Sequence, residues 1–451
     1  MIYPEKFKVA GISMGFFAKQ LPLALTTLLV ASSGSLNAQP AALAGPGKPQ
    51  AETWQAPFIL HLSDVHLTTS SETTTYGQDT GMALWRALKA KLQSVIEGKT
   101  PPAFIIFTGD LPAHYECTAV NCYLPPGQRT DHNTNIKVLL EDLRSLVAKI
   151  KIPLFFIPGN NDGLAGDYFS FADGRQKTAL NLVPEADNPY PALNTATACG
   201  EPPCLLADPQ PKMGYYSARP INGLRLIGLN TIIWGNTYWP VDGISQREAG
   251  NTQMLWLEEQ LKQAAEAGEK VYLLMHIPPG VDAYAASKGS TTPLMWASLP
   301  AAGMTWQDQF LRLINRYSSN VAGLFYGHTH MDELRLLYDR NGTKVSALAI
   351  SSPGITPLDS NNPGFKLVFF EPKSKELIDF TTYYTTPTAT SWGDASYQFS
   401  KVYGCEAQSM LTCLKQQNLE QINSKMQTIF MVKNGTPSYA TAPGIPVKFA
   451  P

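Results

Sequence analysis

From Phe58 onward the chain repeats one pattern: a short apolar run closed by glycine, aspartate, asparagine or histidine. The runs FILHLSD (58–64), AFIIFTGD (103–110), IPLFFIPGN (152–160), LRLIGLNT (224–231), VYLLMHIPP (271–279), VAGLFYGHTH (321–330), VSALAISSP (345–353) and KLVFFE (366–371) read as buried strands. Between them, ALWRALKAKLQSVI (83–96), NIKVLLEDLRSLVAKI (135–150), QMLWLEEQLKQAAEAG (253–268) and WQDQFLRLINRY (306–317) place apolar residues at three- and four-residue steps. That spacing predicts amphipathic helices. Strands alternating with helices predict an α/β (α+β) fold with helices layered on sheets.

Two stretches depart from the alternation. Residues 163–220 are proline-rich without clear periodicity, and read as a long loop excursion over a functional site. Beyond Thr386 the pattern turns helical, predicting a small C-terminal subdomain over 386–451 behind a catalytic domain at 56–385. No internal repeat is visible.

The first residues differ in kind. Lys6, Lys8 and Lys19 precede LPLALTTLLVA, which gives way to the small-residue segment SSGSLNAQPAALAG. A charged start, an apolar middle and a small-residue zone predict a secretory signal over 1–38, cleaved between Ala31 and Ala44, with a linker at 39–55. Lys19 and Gln20 split the longer apolar span, leaving less than the ~20 residues a membrane helix needs. The mature chain is therefore expected to be secreted or periplasmic, with no stable membrane insertion. In such a compartment six cysteines in three close pairs (117 with 122, 199 with 204, 405 with 413) read as disulfides. Local pairing is the simplest of the about fifteen connectivities that six cysteines allow. Their spacing suits a thiolate metal site poorly.

With 451 residues, 44% hydrophobic, the chain can bury a sizeable core. A formal net charge of −1 and the absence of a long basic run argue against a nucleic-acid groove.

The chemistry collects at strand ends. LSDVH supplies Asp64 and His66, TGD supplies Asp110, PGNN supplies Asn160, LMHIPP supplies His276, and YGHTH supplies His328 and His330. In open α/β sheets the strand ends border the ligand crevice, and residues two apart in extended chain point the same way. Asp64 can thus converge with His66, and His328 with His330. His61 is out of phase with that face and reads as a scaffold histidine. Each motif alone is weak, but their joint occurrence at successive strand ends is not. Nitrogen and hard oxygen donors without thiolate suit zinc, manganese or iron rather than soft copper.

The ordered set DxH, GD, GNx[DE], H, GHxH resembles the signature of the calcineurin-like metallophosphoesterase superfamily over about 58–380. GDLPAH, YYSARPINGLRLIGLNT, AGLFYGHTHMDEL and SSPGITPLDSNNPGFKLVFFE resemble its acid sphingomyelinase-like phosphodiesterase branch. The resemblance implies a four-layer α/β/β/α sandwich with two divalent metal ions. It assigns one ion to Asp64, His66 and His330, the second to Asn160, His276 and His328, and Asp110 to both. Zn2+ is the expected metal, with Mn2+ or Fe2+ as alternatives. The tyrosine ligand of the purple acid phosphatase branch is replaced here by Ala113. The implied reaction is in-line hydrolysis of a phosphoester by a metal-bridging hydroxide.

One position departs from the family. Most members carry histidine after the ligand asparagine, where this chain has Asn161, which donates a hydrogen bond but delivers no proton. His114, four residues past Asp110, stands where the branch has a histidine beside the leaving group, and becomes the expected acid. The same GNND run occurs in endopolyphosphatases. Asp162 and Asp332 read as orienters of ligand loops, and His132, in a polar segment, has no role. Trp234, Tyr238 and Trp239 are candidates for stacking a nucleobase, weighed against simple packing. The expected function is a phosphodiesterase acting on small soluble phosphoesters such as nucleotides. The alternatives are an endopolyphosphatase, a sphingomyelin phosphodiesterase, and a catalytically silent metal-dependent binding protein.

Overall fold

The computed structural model describes residues 56–450 apart from 116–122, 149–151, 184–203, 299–303 and the single positions 211, 292, 434 and 440. The proposed signal and the whole linker therefore lie outside the described residues, as do Cys117, Cys122 and Cys199. The Cys405–Cys413 disulfide is formed, and Cys204 is also disulfide-bonded.

Two mixed sheets stack face to face. The first has the order β13-β12-β11-β1-β2-β3, with β1 (Phe58–Leu62), β2 (Phe104–Phe107), β3 (Leu154–Phe156), β11 (Gly364–Phe370), β12 (Leu377–Tyr384) and β13 (Ser396–Gln398). The second has the order β14-β9-β10-β8-β7-β6-β5-β4. Its strands are β4 (Leu205–Gln210), β5 (Tyr215–Ile221), β6 (Leu224–Gly228), β7 (Lys270–Leu274), β8 (Val321–Tyr326), β9 (Leu334–Tyr338), β10 (Val345–Ser351) and β14 (Gly444–Val447). Strands β1, β2 and β3 run parallel, as do β6, β7, β8 and β10, so each sheet has a set of strands ending together.

The period-two alternation of side chains sorts the core into layers. Ile59, Phe104, Ile106 and Phe155 of the first sheet meet Tyr272, Leu274, Phe325 and Ile350 of the second in one buried cluster. The opposite faces of the same strands, Leu60, Leu62, Ile105 and Phe107, are covered by Trp85, Leu88 and Leu92 of α1 (Met82–Ile96) and Ile136, Leu139 and Leu143 of α2 (Pro126–Ala148). On the other side Leu257 and Leu261 of α3 (Gln246–Glu266) pack on Ile227, Leu273 and Leu324. After the short α4 (Ala283–Ser287), Phe310, Leu311 and Ile314 of α5 (Trp306–Arg316) cover the same face. Helix, sheet, sheet, helix gives the expected four layers. Past residue 386 come β13, α6 (Phe399–Tyr403), α7 (Met410–Lys415), α8 (Leu419–Lys433) and then β14, which joins the second sheet parallel to β9.

The structure corrects three local readings. The stretch 163–220 is not wholly loop, since β4 and β5 lie within it, and β5 is buried although its two adjacent tyrosines, Ser217 and Pro220 hide any alternation. Helix α2 begins at Pro126 rather than near Asn135, because tertiary packing carries the polar, glycine-containing turn into the helix. His132 thereby sits on a helix instead of in a loop. Strands β9 and β12 were also absent from the sequence pattern as read.

Candidate metal centre

The candidate residues follow the C-terminal ends of the parallel strands. Asp64 and His66 lie beyond β1, Asp110 beyond β2, Asn160 beyond β3, His276 beyond β7, and His328 and His330 beyond β8. To turn the chain sharply there, Asp64, His66, Asp110, His328 and His330 all adopt positive φ, between 46° and 71°. Such backbone costs a non-glycine residue about 1–3 kcal/mol and persists only where its surroundings hold it. The holding contacts are explicit: Asp64 N–H donates to Gly109 O at 2.9 Å, and His328 N–H donates to Asp64 Oδ1 at 2.9 Å. Asp162 accepts from the N–H groups of Asp110 (2.9 Å), Leu111 (2.8 Å) and Gly159 (2.6 Å), tying two of the loops together. A Cβ on Gly159 would collide with the Asp110 carboxylate, and one on Gly327 with Ser63 and Asp64. Both positions need glycine for close approach.

The seven side chains meet. His66 Nε2 and His276 Nε2 stand 3.3 and 3.2 Å from Asp110 Oδ2. His330 Nε2 is 3.6 Å from Asp64 Oδ1 and 3.2 Å from His66 Nε2. Asn160 Oδ1 lies 2.9 Å from both His276 Nε2 and His328 Nδ1. The outer atoms of several of these groups are already committed. His66 Nδ1–H donates to Pro112 O (3.0 Å), His276 Nδ1–H to Thr108 O (2.6 Å), and Asn160 Nδ2 to Asp167 Oδ1 (2.7 Å), while His330 Nδ1 faces Asp359 Oδ2 at 2.9 Å. With those protons turned outward, the inward atoms are lone pairs. Lone pairs crowded within hydrogen-bond distance repel unless a cation sits among them. The donor set therefore fits divalent metal, and the groups His66/His114/His330, Asp110/His276/His328 and Asp64/His66/Asp110 each bring their ligand atoms within 4.8 Å of one another.

The titration behaviour points the same way. Burial works against the Asp110 carboxylate, yet facing His276 and His66 hold it well below the usual range. Burial likewise opposes charge on His276, but Asp110 and Asp64 push that imidazole up to about 9. Without a metal the cluster recruits protons as its positive charge.

His114 stacks on the His66 ring at 3.8 Å between centroids. Its Nδ1 pairs with Asp79 Oδ1 at 2.9 Å, and its backbone N–H donates to Asp79 Oδ2. Burial opposes its charge, but Asp79, helped by Asp110 and Asp167, pushes its pKa up to about 9. Asn161 is 3% exposed, with its backbone N–H and Nδ2 both donating to the Asp110 carboxylate, at 2.8 and 3.1 Å.

A cavity of about 340 Å³ opens over the cluster. Asp110, His114, Asn160, His328 and His330 line its floor; Asp167, Tyr168, Asp282, Tyr284 and Tyr439 are among its walls. Trp234 is instead fully buried among Trp296 and Phe310, and none of Trp234, Tyr238 and Trp239 lines the cavity, so packing accounts for them. His61 is buried 3.0 Å from Thr108 Oγ1, as scaffold. Asp332 lies in the His330 loop and ion-pairs with Lys366 of β11. Sequence reasoning missed Asp79, Asp167, Tyr168, Asp359 and His132, whose Nε2 donates to the Asn161 carbonyl at 2.9 Å. Only proximity to a motif (Asp167 and Tyr168 after GNND, Asp359 in TPLDSNN) could have flagged any of them.

Two facing sheets with such a cluster at their shared edge are the frame of a metallophosphoesterase. The calcineurin-like phosphoesterase pattern matches residues 59–332, and the chain belongs to that family. Its similarity runs to the acid sphingomyelinase-like branch. Rat cyclic GMP-AMP phosphodiesterase SMPDL3A is 28% identical over 67% of this chain and 62% of its own length. Human acid sphingomyelinase-like phosphodiesterase 3b is 24% identical over 73% of this chain and 69% of its own. The chain thus spans somewhat under two thirds of the rat relative. A dimetal phosphatase from Danio rerio aligns over 76% of this chain and 98% of its own, with a TM-score of 0.46 and 10% identity.

Proposed function

We propose that the chain is an exported dimetal phosphodiesterase that hydrolyses small soluble phosphodiesters, nucleotides among them. The observation that carries this reading is the convergence of seven ligand side chains, with the N–H groups of His66, His276 and Asn160 tied outward. Asp64, His66 and His330 would hold one cation, Asn160, His276 and His328 the other, and Asp110 both, with zinc the best match to the donors. Two such ions lower the pKa of bound water towards neutrality and take up charge on phosphoryl oxygens.

The chain's own residues supply the remainder. Asp79 holds the Nδ1 proton of His114, which leaves Nε2 to give a proton to the departing oxygen. The Asp79 carboxylate beside it favours the charged imidazole. Asn160 brings a neutral oxygen where a third carboxylate would weaken attraction for a phosphate anion. Asp282 and Asp359 in the cavity wall add negative charge that disfavours a polyphosphate chain and favours a single diester. The relatives' names, a cyclic dinucleotide phosphodiesterase and a sphingomyelinase-like phosphodiesterase, support the bond type. The N-terminal signal pattern and the Cys405–Cys413 disulfide support export.

The test is direct. Purified protein loaded with zinc or manganese should carry two ions per chain by elemental analysis. It should release aryl alcohol from a bis-aryl phosphate, and stop on chelation. A well-folded protein that binds no metal, or metal-loaded protein inert towards every diester in a panel with ATP, sphingomyelin and polyphosphate, overturns the reading.

A further inference from the structure

Asn161 occupies the position where most of the family presents a donor to the phosphate, yet it is spent elsewhere. Its backbone N–H and an Nδ2–H go to Asp110, its backbone carbonyl is held by His132, and it does not line the cavity. A different donor has to face the phosphoryl oxygens if the site is preorganised for charge there.

Tyr168 stands in that place. It lines the cavity with Asp110, His114, Asn160 and His328, and its ring sits edge-on to His328 with centroids 6.4 Å apart. Its backbone is pinned on both sides: its N–H donates to Asn160 O at 2.8 Å, and its carbonyl accepts from Trp239 N–H at 2.9 Å. Its φ is +59°, a real outlier for a bulky side chain. Among the described residues, the other non-glycine positions with positive φ are the five candidate ligands and four positions in turns (Gln176, Ser360, Lys375 and Ala407). Tyr168 therefore shares the backbone device that aims the ligands. Tyr439, in the same wall, spends its hydroxyl on Thr329 O at 2.6 Å. The Tyr168 hydroxyl makes no hydrogen bond among the described residues.

We propose that the Tyr168 hydroxyl donates a hydrogen bond to a non-bridging oxygen of the bound phosphoryl group, the task that Asn161, turned onto Asp110 and away from the cavity lining, does not perform. The inference rests on the phosphodiesterase reading above. A neutral hydroxyl helps by holding charge in place, so its contribution is independent of the leaving group, unlike that of His114. A hydrogen bond to a charged group is worth roughly ten- to a hundredfold in affinity or rate.

The experiment compares metal-loaded wild type with Tyr168→Phe, which keeps the ring and the backbone. Inorganic phosphate is titrated calorimetrically into each, metal content is measured, and turnover is followed on esters with good and poor leaving groups. The expected variant retains two metals, binds phosphate about tenfold more weakly, and loses about ten- to a hundredfold in kcat/KM by the same factor on every ester. Unchanged phosphate affinity and turnover with metals retained overturns the proposal. So does loss of metal, which would make Tyr168 a prop for His328. Wild type that neither binds phosphate nor hydrolyses fails the phosphodiesterase reading as well, whereas active wild type matched by Tyr168→Phe fails this inference alone.

Discussion

Two buried polar clusters lie between the sheets, and they settle their charge in opposite ways. Lys366 of β11 is fully buried, yet its ammonium meets Asp332, lies 3.0 Å from Thr382 Oγ1, and sits 4.3 Å from the Phe380 ring centroid. Tyr397 donates to the second Asp332 oxygen at 2.9 Å. Donors and acceptors match there, and nothing further is required. A few residues away, Asp64, Asp110, Asn160 and four imidazoles crowd more acceptors than side-chain donors onto one point, and only a proton drawn onto His276 offsets the charge there. Burial and ionisable side chains are common to both clusters. What separates a structural ion pair from a site is the sign of the unmatched balance.

The largest test of that contrast is Asp110→Asn, which removes the shared carboxylate. Turnover should fall by about four orders of magnitude in steady-state assays while the chain stays folded, because the acceptor-only cluster has lost a buried charge. A variant that retains a tenth of wild-type turnover would erase the distinction. In the matched cluster, Lys366→Met strands Asp332 and should cost about 3–5 kcal/mol in urea unfolding. Adding Asp332→Leu should recover most of that loss. If the single and double variants unfold alike, the pair is not self-contained.

Chelation should discriminate between the clusters next. Removing saturating metal from wild type should lower stability by about 3 kcal/mol, and Lys366→Met should lose the same amount, since its defect lies outside the site. A smaller effect separates roles within the site: His114→Ala should slow alkyl esters about a hundredfold while barely touching activated aryl esters. Least of all, Asn161→His should retain both metals by elemental analysis, and their loss would contradict the packing of Asn161 against Asp110.

The residues of the candidate centre were legible because each is a rare side-chain type placed directly after an apolar run. The main strands and the helices were legible from their periods. What escaped depends on contacts across long sequence separations. Asp79 is one polar residue in the run TTTYGQDTG, and only folding brings it to His114. His132 sits among weak helix formers, and its partner is a backbone carbonyl that no side-chain pattern can announce. Tyr168 is one of nineteen tyrosines, marked out only by its φ and its unspent hydroxyl. Strand β5 was hidden because both of its faces are buried, which leaves no alternation to read.

The left-handed backbone at Asp64, His66, Asp110, His328 and His330 bears on how this protein can change. Glycine relaxes at such angles, but exchanging any one of them for glycine also removes the buried side chain whose contacts hold the neighbouring loop, as Asp64 holds the His328 N–H and Asp110 holds Asn161. The strained turns and the donor set therefore stand or fall together: the side chains that would grip the cations are the same ones that keep the backbone bent.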